Sequence, residues 1–299
     1  MGLDRCLFGE KIGRFNVNLL NSLLNFLFLF YSNVSVINDS VSKSSIKRII
    51  DWDTKVIYFD IIKLVDEDRF GKVGFDTTSK LVFSVNDFKD TLIRQSLFEM
   101  IIDSDNSFKD YFDSDPHLIL YFSGLDSILK RGYTKYSEDL KNITVRYELC
   151  IFPDFIDLFF SHSKPYRVFY PLINTNVNKT VYTGIIIYAG DDYKSSSGDV
   201  VKLTDAFFIK IYNEDIKLYF DKRMVDPDAL RKWGMLEYTN DIFYKNKDRV
   251  GNYPLRLIAK GVYGKNHSDI ILDKYSISKI FSDNDNVNLL REGKLVIIK

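Results

Sequence analysis

Cysteine is scarce in this chain, since Cys6 and Cys150 are its only two cysteines among 299 residues. Two cysteines so far apart do not make the framework of a disulfide-stapled domain, so we expect stability to come from an apolar core. Cys150 lies in the β-rich stretch Tyr147–Phe152, which predicts a buried strand thiol. Cys6 lies before the apolar segment near the N-terminus and Cys150 lies far beyond it, whereas lipid attachment needs a cysteine at the exit of that segment, which argues against a lipoprotein.

An excess of positive charge is also missing, because 41 Lys and Arg residues balance 41 Asp and Glu residues. Polyanion binders need a basic surplus or a basic stripe, so nucleic acid is not an expected partner. Apolar residues make up 45% of the chain and charged residues 27%, which is typical of a globular protein.

Long hydrophobic runs are absent except for one, between Leu19 and Phe30. Basic residues precede this run and the polar stretch Tyr31–Ser35 follows it, which is the pattern of an export signal. A bilayer span needs about 20 apolar residues, more than this run supplies. The pattern predicts that residues 1–40 are a signal peptide, or an N-terminal anchor, followed by a leader. A core helix of a soluble protein is the third alternative.

Export would place the protein in the periplasm or cell envelope. Membrane contact is then expected only through the N-terminal apolar segment.

Residue patterns that carry chemistry are incomplete throughout. The three histidines His117, His162 and His267 are scattered, whereas a zinc site needs three or four converging ligands. The Gly190–Asp199 loop lacks the Gly-Lys-Ser/Thr of a phosphate loop, and no Gly-x-Ser-x-Gly nucleophile elbow occurs. We therefore expect no catalytic, cofactor-binding or metal-binding residues, and the chain is not predicted to be an enzyme.

Two acidic stretches resemble fragments of calcium loops: Asp103–Ser107 and Ser282–Asn286. Alternating oxygen ligands suit calcium, but neither stretch has the glycine and distal glutamate of a complete loop. The sequence predicts that both are solvated turns.

Predicted strands and helices do not alternate in long βαβ units, so the fold class is α+β. Residues 86–103 are expected to form a helix, and Leu81–Val85 is expected to complete a hairpin. The strongest predicted strand contains Ile185–Ile187, a continuous β-branched run expected to be covered on both faces. We expect two small sheet-and-helix subdomains, residues 41–165 and 166–299.

Further elements are predicted in the second subdomain. A hairpin is expected around Asn213–Asp215, a helix over Thr239–Lys247, and a strand over Leu255–Val262. The apolar residues Leu295–Ile298 are expected to form a closing strand in the same sheet as Ile185–Ile187.

Motifs from residue 46 onward resemble the FlgT/FlgP-like and LPP-type family of exported bacterial envelope proteins. The matching segments, in family order, are Ile50–Asp53, Ile101–Ser104, Ile128–Tyr136, Ile143–Phe152, Tyr182–Ala189, Ile211–Asp215, Gly234–Met235, Val250–Leu255 and Leu290–Ile297. The chain departs from that family in lacking a lipid-attachment cysteine, and Tyr188 stands where the family has an acid.

This resemblance implies an exported, non-catalytic envelope protein with a structural or assembly role, and some relatives build rings around the flagellar motor. Expected partners are envelope or flagellar-motor proteins, or further copies of this chain paired through exposed strand edges. The alternatives are a ligand-binding or adhesin-like envelope protein that uses an aromatic-rich surface, and a hydrolytic enzyme. No cofactor is implied.

Overall fold

The computed structural model describes residues 44–65, 75–166, 180–195, 198–244 and 246–299. The predicted signal or anchor, residues 1–40, lies outside the described residues. Helices and several small sheets are mixed without regular alternation, which confirms the α+β fold class. Within the described part of the chain, no helix has the length and hydropathy needed to cross a bilayer.

Contacts divide the described chain into two compact units, and neither is continuous in sequence. The first contains residues up to 96 together with 124–149, and the second contains 97–123 together with 150–299. Residues 97–123 therefore belong to the second unit, although in sequence they lie between the two parts of the first.

A four-stranded sheet and a long helix form the first unit. The sheet has the order β1-β2-β4-β3, and the helix α1 spans Phe75–Phe98. The four strands are β1 (Ser44–Asp51), β2 (Val56–Leu64), β3 (Lys130–Tyr136) and β4 (Asn142–Cys150).

Strand β4 shows why this sheet has one buried face. Its residues alternate between buried and half-exposed, with Ile143 and Val145 fully buried. Helix α1 lies on the buried face, where the Tyr147 hydroxyl donates to Asn86 Oδ1 at 2.7 Å. Cys150 ends β4 and is only half-buried there, so the prediction of a buried thiol is wrong.

Two predictions in this unit need correction. Leu81–Val85 is helical rather than extended, because Leu81, Val85 and Phe88 repeat at the helical spacing and bury one face of α1. The helix predicted over residues 86–103 exists, but it begins before residue 86 and ends at Phe98.

Ten strands, most of them short, are described in the second unit. They are β5 (Ile185–Tyr188), β6 (Tyr193–Lys194), β7 (Val200–Val201), β8 (Ile211–Asn213), β9 (Leu218–Phe220), β10 (Glu237–Thr239), β11 (Leu255–Ile258), β12 (Gly261–Tyr263), β13 (Asp269–Leu272) and β14 (Leu295–Ile298).

The helices from residue 108 onward are short, and all but α4, which belongs to the first unit, lie in the second. They are α2 (Phe108–Ser114), α3 (Pro116–Ser123), α4 (Leu125–Ile128), α5 (Asp154–Asp157), α6 (Pro227–Trp233), α7 (Lys247–Val250), α8 (Lys274–Phe281) and α9 (Asn284–Arg291).

A fully parallel sheet with the order β10-β14-β5-β11 forms the centre of the second unit. Ile185–Ile187 are completely buried in β5, which confirms that this strand is covered on both faces. Strand β14 lies next to β5 with Ile297 paired to Ile187, which confirms the placement of the closing strand.

The turn before β14 requires a glycine at position 293. Gly293 has a φ of 66°, a region that glycine enters without steric cost. A Cβ atom at this position would lie 2.5 Å from the Gly234 carbonyl oxygen. The chain therefore enters β14 through a backbone conformation in which any residue other than glycine would be strained.

A second sheet, with the order β12-β13-β8-β9, confirms the predicted hairpin around Asn213–Asp215. The single strand predicted over Leu255–Val262 is wrong, because the chain leaves one sheet after β11 and enters the other as β12. The helix predicted from Thr239 is also wrong. Thr239 ends β10, its Oγ1 accepts the Asp241 amide at 3.1 Å in a turn, and α7 begins only at Lys247.

Much of the aromatic content is used in the core of this unit. The Phe108 ring is fully buried, and its centroid lies 5.0–6.3 Å from the centroids of four other rings. These rings belong to Phe98, Phe122, Phe155 and Phe159. The abundance of phenylalanine therefore reflects packing here and does not by itself indicate an aromatic binding surface.

Candidate interaction surface

Strand β11 forms one edge of the parallel sheet, and half of its backbone groups point away from that sheet. The amides of Leu255 and Ala259 donate to the carbonyls of Gly184 and Tyr188, each at 2.8 Å. Because backbone groups of successive strand residues point to opposite sides, those of Arg256 and Ile258 point away from β5. No described strand pairs with that outer side.

The side chains of β11 leave part of one sheet face uncovered. Ile258 pairs in register with Tyr188, and Arg256 pairs with Ile186, so all four side chains share a face. Tyr244 packs with Ile186 over the middle of this face, but Ile258 remains 60% exposed. An aliphatic side chain this exposed on a strand edge is a site where another chain can pack.

A cleft of about 400 Å³ adjoins the edge and is lined by Tyr188, Asp191, Arg256, Leu257 and Ile258. The guanidinium of Arg256 donates to the Tyr188 hydroxyl, and that hydroxyl donates to the Ile242 carbonyl at 3.4 Å. These contacts hold the Arg256 side chain against the sheet. We call Tyr188, Asp191, Arg256 and Ile258 the β11 surface.

Two other strand edges, those of β10 and β3, are protected in ways that β11 is not. At the opposite edge of the same sheet, Glu237 and Tyr238 of β10 are buried. In the first unit, β3 carries Lys130, Arg131 and Lys135 and has a register shift after Arg131. Charged residues and bulges of this kind discourage strand addition, whereas β11 is regular and half apolar.

The histidines considered from the sequence lie on separate elements. His117 is exposed on α3, and His267 lies in the loop between β12 and β13. His162 Nε2 pairs with the Val225 carbonyl at 2.9 Å. Among the described residues, no three His, Cys, Asp or Glu side chains are grouped so that they could hold a metal ion.

The prediction of a solvated turn at Asp103–Ser107 is wrong for its first two residues, because Asp103 and Ser104 are buried. Asp103 Oδ1 accepts the Asp105 and Asn106 amides at 3.0 and 2.9 Å. Its Oδ2 accepts the Tyr111 hydroxyl at 2.6 Å and lies 3.7 Å from Lys222 Nζ. The turn is thus an internal polar junction of the second unit.

The Asp103 carboxyl shows how these contacts compensate for burial. Burial alone would raise its pKa, but the Tyr111 hydroxyl, the Asp105 amide and the Lys222 charge lower it below the ordinary value. Asp103 is therefore ionised at neutral pH and fully engaged within the protein, which leaves it unsuited to bind calcium.

The second acidic stretch is a helix start. Asp283 caps α9 by accepting the Asp285 amide at 3.0 Å. Asn286 is buried and donates its side-chain amide to the Lys279 carbonyl at 2.9 Å, so it too departs from the predicted solvated turn.

Part of the Gly190–Asp199 loop is ordered by strand pairing. Tyr193 and Lys194 form β6, which pairs with β7. Ser196 and Ser197 lie outside the described residues.

No sequence motif identifies the β11 surface, because the surface depends on the position of β11 at the edge of the sheet. Arg256 between Leu255 and Leu257 indicates one exposed face, but the apolar Ile258 on that same face gives no sign in the sequence that it is exposed.

Two family models match the chain, and no curated protein does. Residues 43–158 match the N-terminal domain of Treponema pallidum Tp0624, and residues 184–299 match the second domain of that protein. The second match contains the whole β11 surface, whereas the first includes the 97–123 segment that packs with the second unit. Over these two stretches the chain is similar to the first two domains of Treponema pallidum Tp0624, in the same order.

Proposed function

We propose that this chain is an exported, non-catalytic cell-envelope protein with a structural or assembly role, and that copies of it associate through the β11 surface. The observation that carries the proposal is the regular outer edge of β11, which pairs with no described strand and has Ile258 exposed on it. The occupant of the edge is a second copy of the same strand.

The backbone of β11 suits antiparallel pairing about a two-fold axis at Leu257. In this register Arg256 of one copy lies opposite Ile258 of the other, and the two residues exchange both backbone hydrogen bonds. The outward groups of Arg256 and Ile258 are thereby all paired. Leu257 keeps its buried position against β5.

The same register is favourable for the side chains. Ile258 of one copy packs beneath the aliphatic stem of Arg256 from the other, and the two arginines are not directly opposite each other. Because Asp191 lines the same cleft as Ile258, its carboxylate lies on the side that the incoming guanidinium approaches. The β11 surface is therefore complementary in charge to a second copy of itself.

We expect Ile258→Lys to weaken self-association by at least tenfold in dissociation constant, because the new ammonium faces Arg256 of the other copy. Ile258→Glu is expected to preserve association, because a carboxylate there pairs with the same arginine. Sedimentation velocity over a concentration series measures both effects.

Leu218→Lys is the matched control for this experiment. Leu218 is 39% exposed on β9, another edge strand, so the variant adds the same charge without touching the β11 surface. Unaltered self-association is expected. A wild-type chain that stays monomeric at every concentration, or Lys and Glu variants that weaken association equally, would contradict the proposal.

Export is the second part of the proposal and is carried by the apolar segment Leu19–Phe30. A charge in such a segment costs about 2.5–3.5 kcal/mol on insertion scales. Replacing Leu24 and Leu27 together with Asp is therefore expected to retain the protein in the cytoplasm. Cell fractionation with immunodetection tests this, and a variant that still reaches the envelope refutes export.

Association with the flagellar motor rests on the sequence resemblance alone. This association would be supported if the protein disappears from the envelope fraction of cells that lack the flagellar motor. A ligand-binding or adhesin-like role is the alternative that a strictly monomeric protein would favour, and hydrolysis would need a catalytic group that no residue pattern supplies.

A further inference from the structure

A second cleft, separate from the β11 surface, opens beside the loop between β12 and β13. It has a volume of about 330 Å³ and is lined by Asp105, Ser195, Val262, Tyr263, Gly264, Lys265 and His267. This volume is at the small end of ligand pockets, which span about 300–1,000 Å³. The proposed self-association uses none of these residues.

The rim of this cleft is held in place by its own backbone contacts. The His267 amide donates to the Gly264 carbonyl at 3.1 Å, which closes the turn. The Asn266 amide donates to the Ser104 carbonyl at 3.1 Å, and its side chain donates to the Asp103 carbonyl at 3.2 Å. The turn is thus fastened to the buried Asp103–Ser104 junction, and a ligand would meet a preformed site.

Gly264 shows how close that attachment is. Its φ is 87°, and a Cβ atom there would lie 2.7 Å from Ser104 Cβ. Only glycine permits this turn to approach the junction so closely.

The charges around the cleft disfavour ionic ligands of either sign. Lys210 Nζ donates to Asp105 Oδ2 at 2.5 Å and to Ser104 Oγ at 3.1 Å, so an ammonium already occupies the position that a bound cation would take. The Asp105 carboxylate, with Lys210 bound to it, and the Lys265 ammonium are both part of the lining, so groups of both signs are present. The lining therefore suits a neutral ligand.

The cleft also combines an aromatic ring with mixed hydrogen-bonding groups. Tyr263 is 41% exposed, and its ring is braced edge-on by Tyr212 at a centroid distance of 5.0 Å. The carboxylate, ammonium, imidazole and hydroxyl groups around it include both donors and acceptors. A sugar ring matches this set, since its hydroxyls donate and accept while its C–H face packs on an aromatic ring.

We propose that this cleft binds a neutral saccharide of about one or two rings, with Tyr263 as the stacking platform. Asp105 and Lys265 hydrogen-bond to ring hydroxyls, and His267 closes the far side. A saccharide site would add a ligand-binding role to the assembly role, and it does not depend on self-association.

Saturation-transfer NMR with the full chain tests the proposal, using maltose, cellobiose and di-N-acetylchitobiose up to 10 mM as probes. At least one disaccharide is expected to give transfer to its ring protons. Tyr263→Ala is expected to weaken that binding at least tenfold. Tyr263→Phe keeps the ring and is expected to bind within about threefold of the wild type.

Tyr275→Ala is the matched control, because Tyr275 is 64% exposed on α8 and lies outside the cleft. It is expected to leave binding unchanged, and circular dichroism checks that all variants are folded. Inorganic phosphate and spermidine serve as charged probes in parallel. Binding of either one without any saccharide, absence of saccharide binding at 10 mM, or equal loss in the Tyr263 and Tyr275 variants would overturn the proposal.

Discussion

Deleting residues 294–299 is expected to prevent the second unit from folding. The deletion removes β14, whose four side chains Leu295–Ile298 are buried and whose backbone pairs with β10 on one side and β5 on the other. Each buried aliphatic side chain contributes about 1.5–3 kcal/mol, so the loss rivals the total stability of a typical domain, about 5–15 kcal/mol. Thermal melts followed by circular dichroism, together with limited proteolysis, measure the result.

Lys299→Ala is the control for the truncation. It keeps β14 and removes the ion pair between Lys299 Nζ and Asp205, whose side chains are about one-third exposed, together with the contact between that ammonium and the Tyr238 ring. Ion pairs near the surface contribute about 0–1 kcal/mol, so the melting temperature should fall by a few degrees at most. A truncated chain that melts cooperatively at the wild-type temperature would show that β14 is not part of the stabilising core.

The central sheet could be predicted because its signal is local. Ile185–Ile187 form a β-branched run, and Leu295–Ile298 form a second apolar run after the Gly293 turn. Runs of this kind suit strands covered on both faces, whatever their neighbours are. Composition and periodicity were therefore sufficient for these two strands.

The break within Leu255–Val262 could not be predicted, because it is caused by a distant partner. Apolar residues continue through this stretch, but the Lys260 amide donates to the Ile271 carbonyl at 2.8 Å and so joins the second sheet. Gly261 marks an interruption at this point, but the local sequence does not indicate that the chain changes sheets there. The edge position of β11, on which the proposed function rests, depends on the same non-local arrangement.

Burial of the Asp103–Ser104 turn was missed for a similar reason. The polar string Asp103–Ser107 is typical of a surface turn. Lys210 and Lys222, more than a hundred residues away in sequence, donate to Ser104, Asp105 and Tyr111 and so compensate for burying the turn. A single sequence contains no signal for such pairing.

Replacing Arg249 with Met is expected to lower the free energy of unfolding of the second unit by about 3–5 kcal/mol, the usual result of breaking a buried ion pair. Arg249 is buried and lies 3.8 Å from Glu237 Oε2. Its guanidinium also donates to the carbonyls of Trp233, Gly234 and Leu295 at 2.8, 3.2 and 3.2 Å. Removing it deprives three carbonyls of a hydrogen-bond donor and Glu237 of this ion-pair partner.

The pKa of Arg249 shows that the expected loss of stability comes from breaking its ion pair with Glu237. Burial lowers the pKa of Arg249 to about 10, although the Glu237 carboxylate acts in the opposite direction. The guanidinium is therefore still charged at neutral pH, and Glu237 is its counter-ion. If Arg249 is lost, Glu237 keeps the Tyr244 hydroxyl at 2.5 Å but loses the guanidinium that lies 3.8 Å from its Oε2.

A second substitution should therefore restore part of the stability lost in Arg249→Met. Glu237→Gln removes the carboxylate charge that Arg249 balanced and still accepts the Tyr244 hydroxyl, so the double variant is expected to be more stable than Arg249→Met alone. The three carbonyls that lose the guanidinium keep the double variant less stable than the wild type.

Arg231→Met, which breaks a half-exposed ion pair with Asp157, is the matched control and should lower the free energy of unfolding by less than about 1 kcal/mol. Urea unfolding followed by Trp233 fluorescence, in a Trp52→Phe background, measures all four proteins. Equal losses for Arg249→Met and Arg231→Met would show that the buried guanidinium does not hold α7 to β14 and the α6–β10 turn.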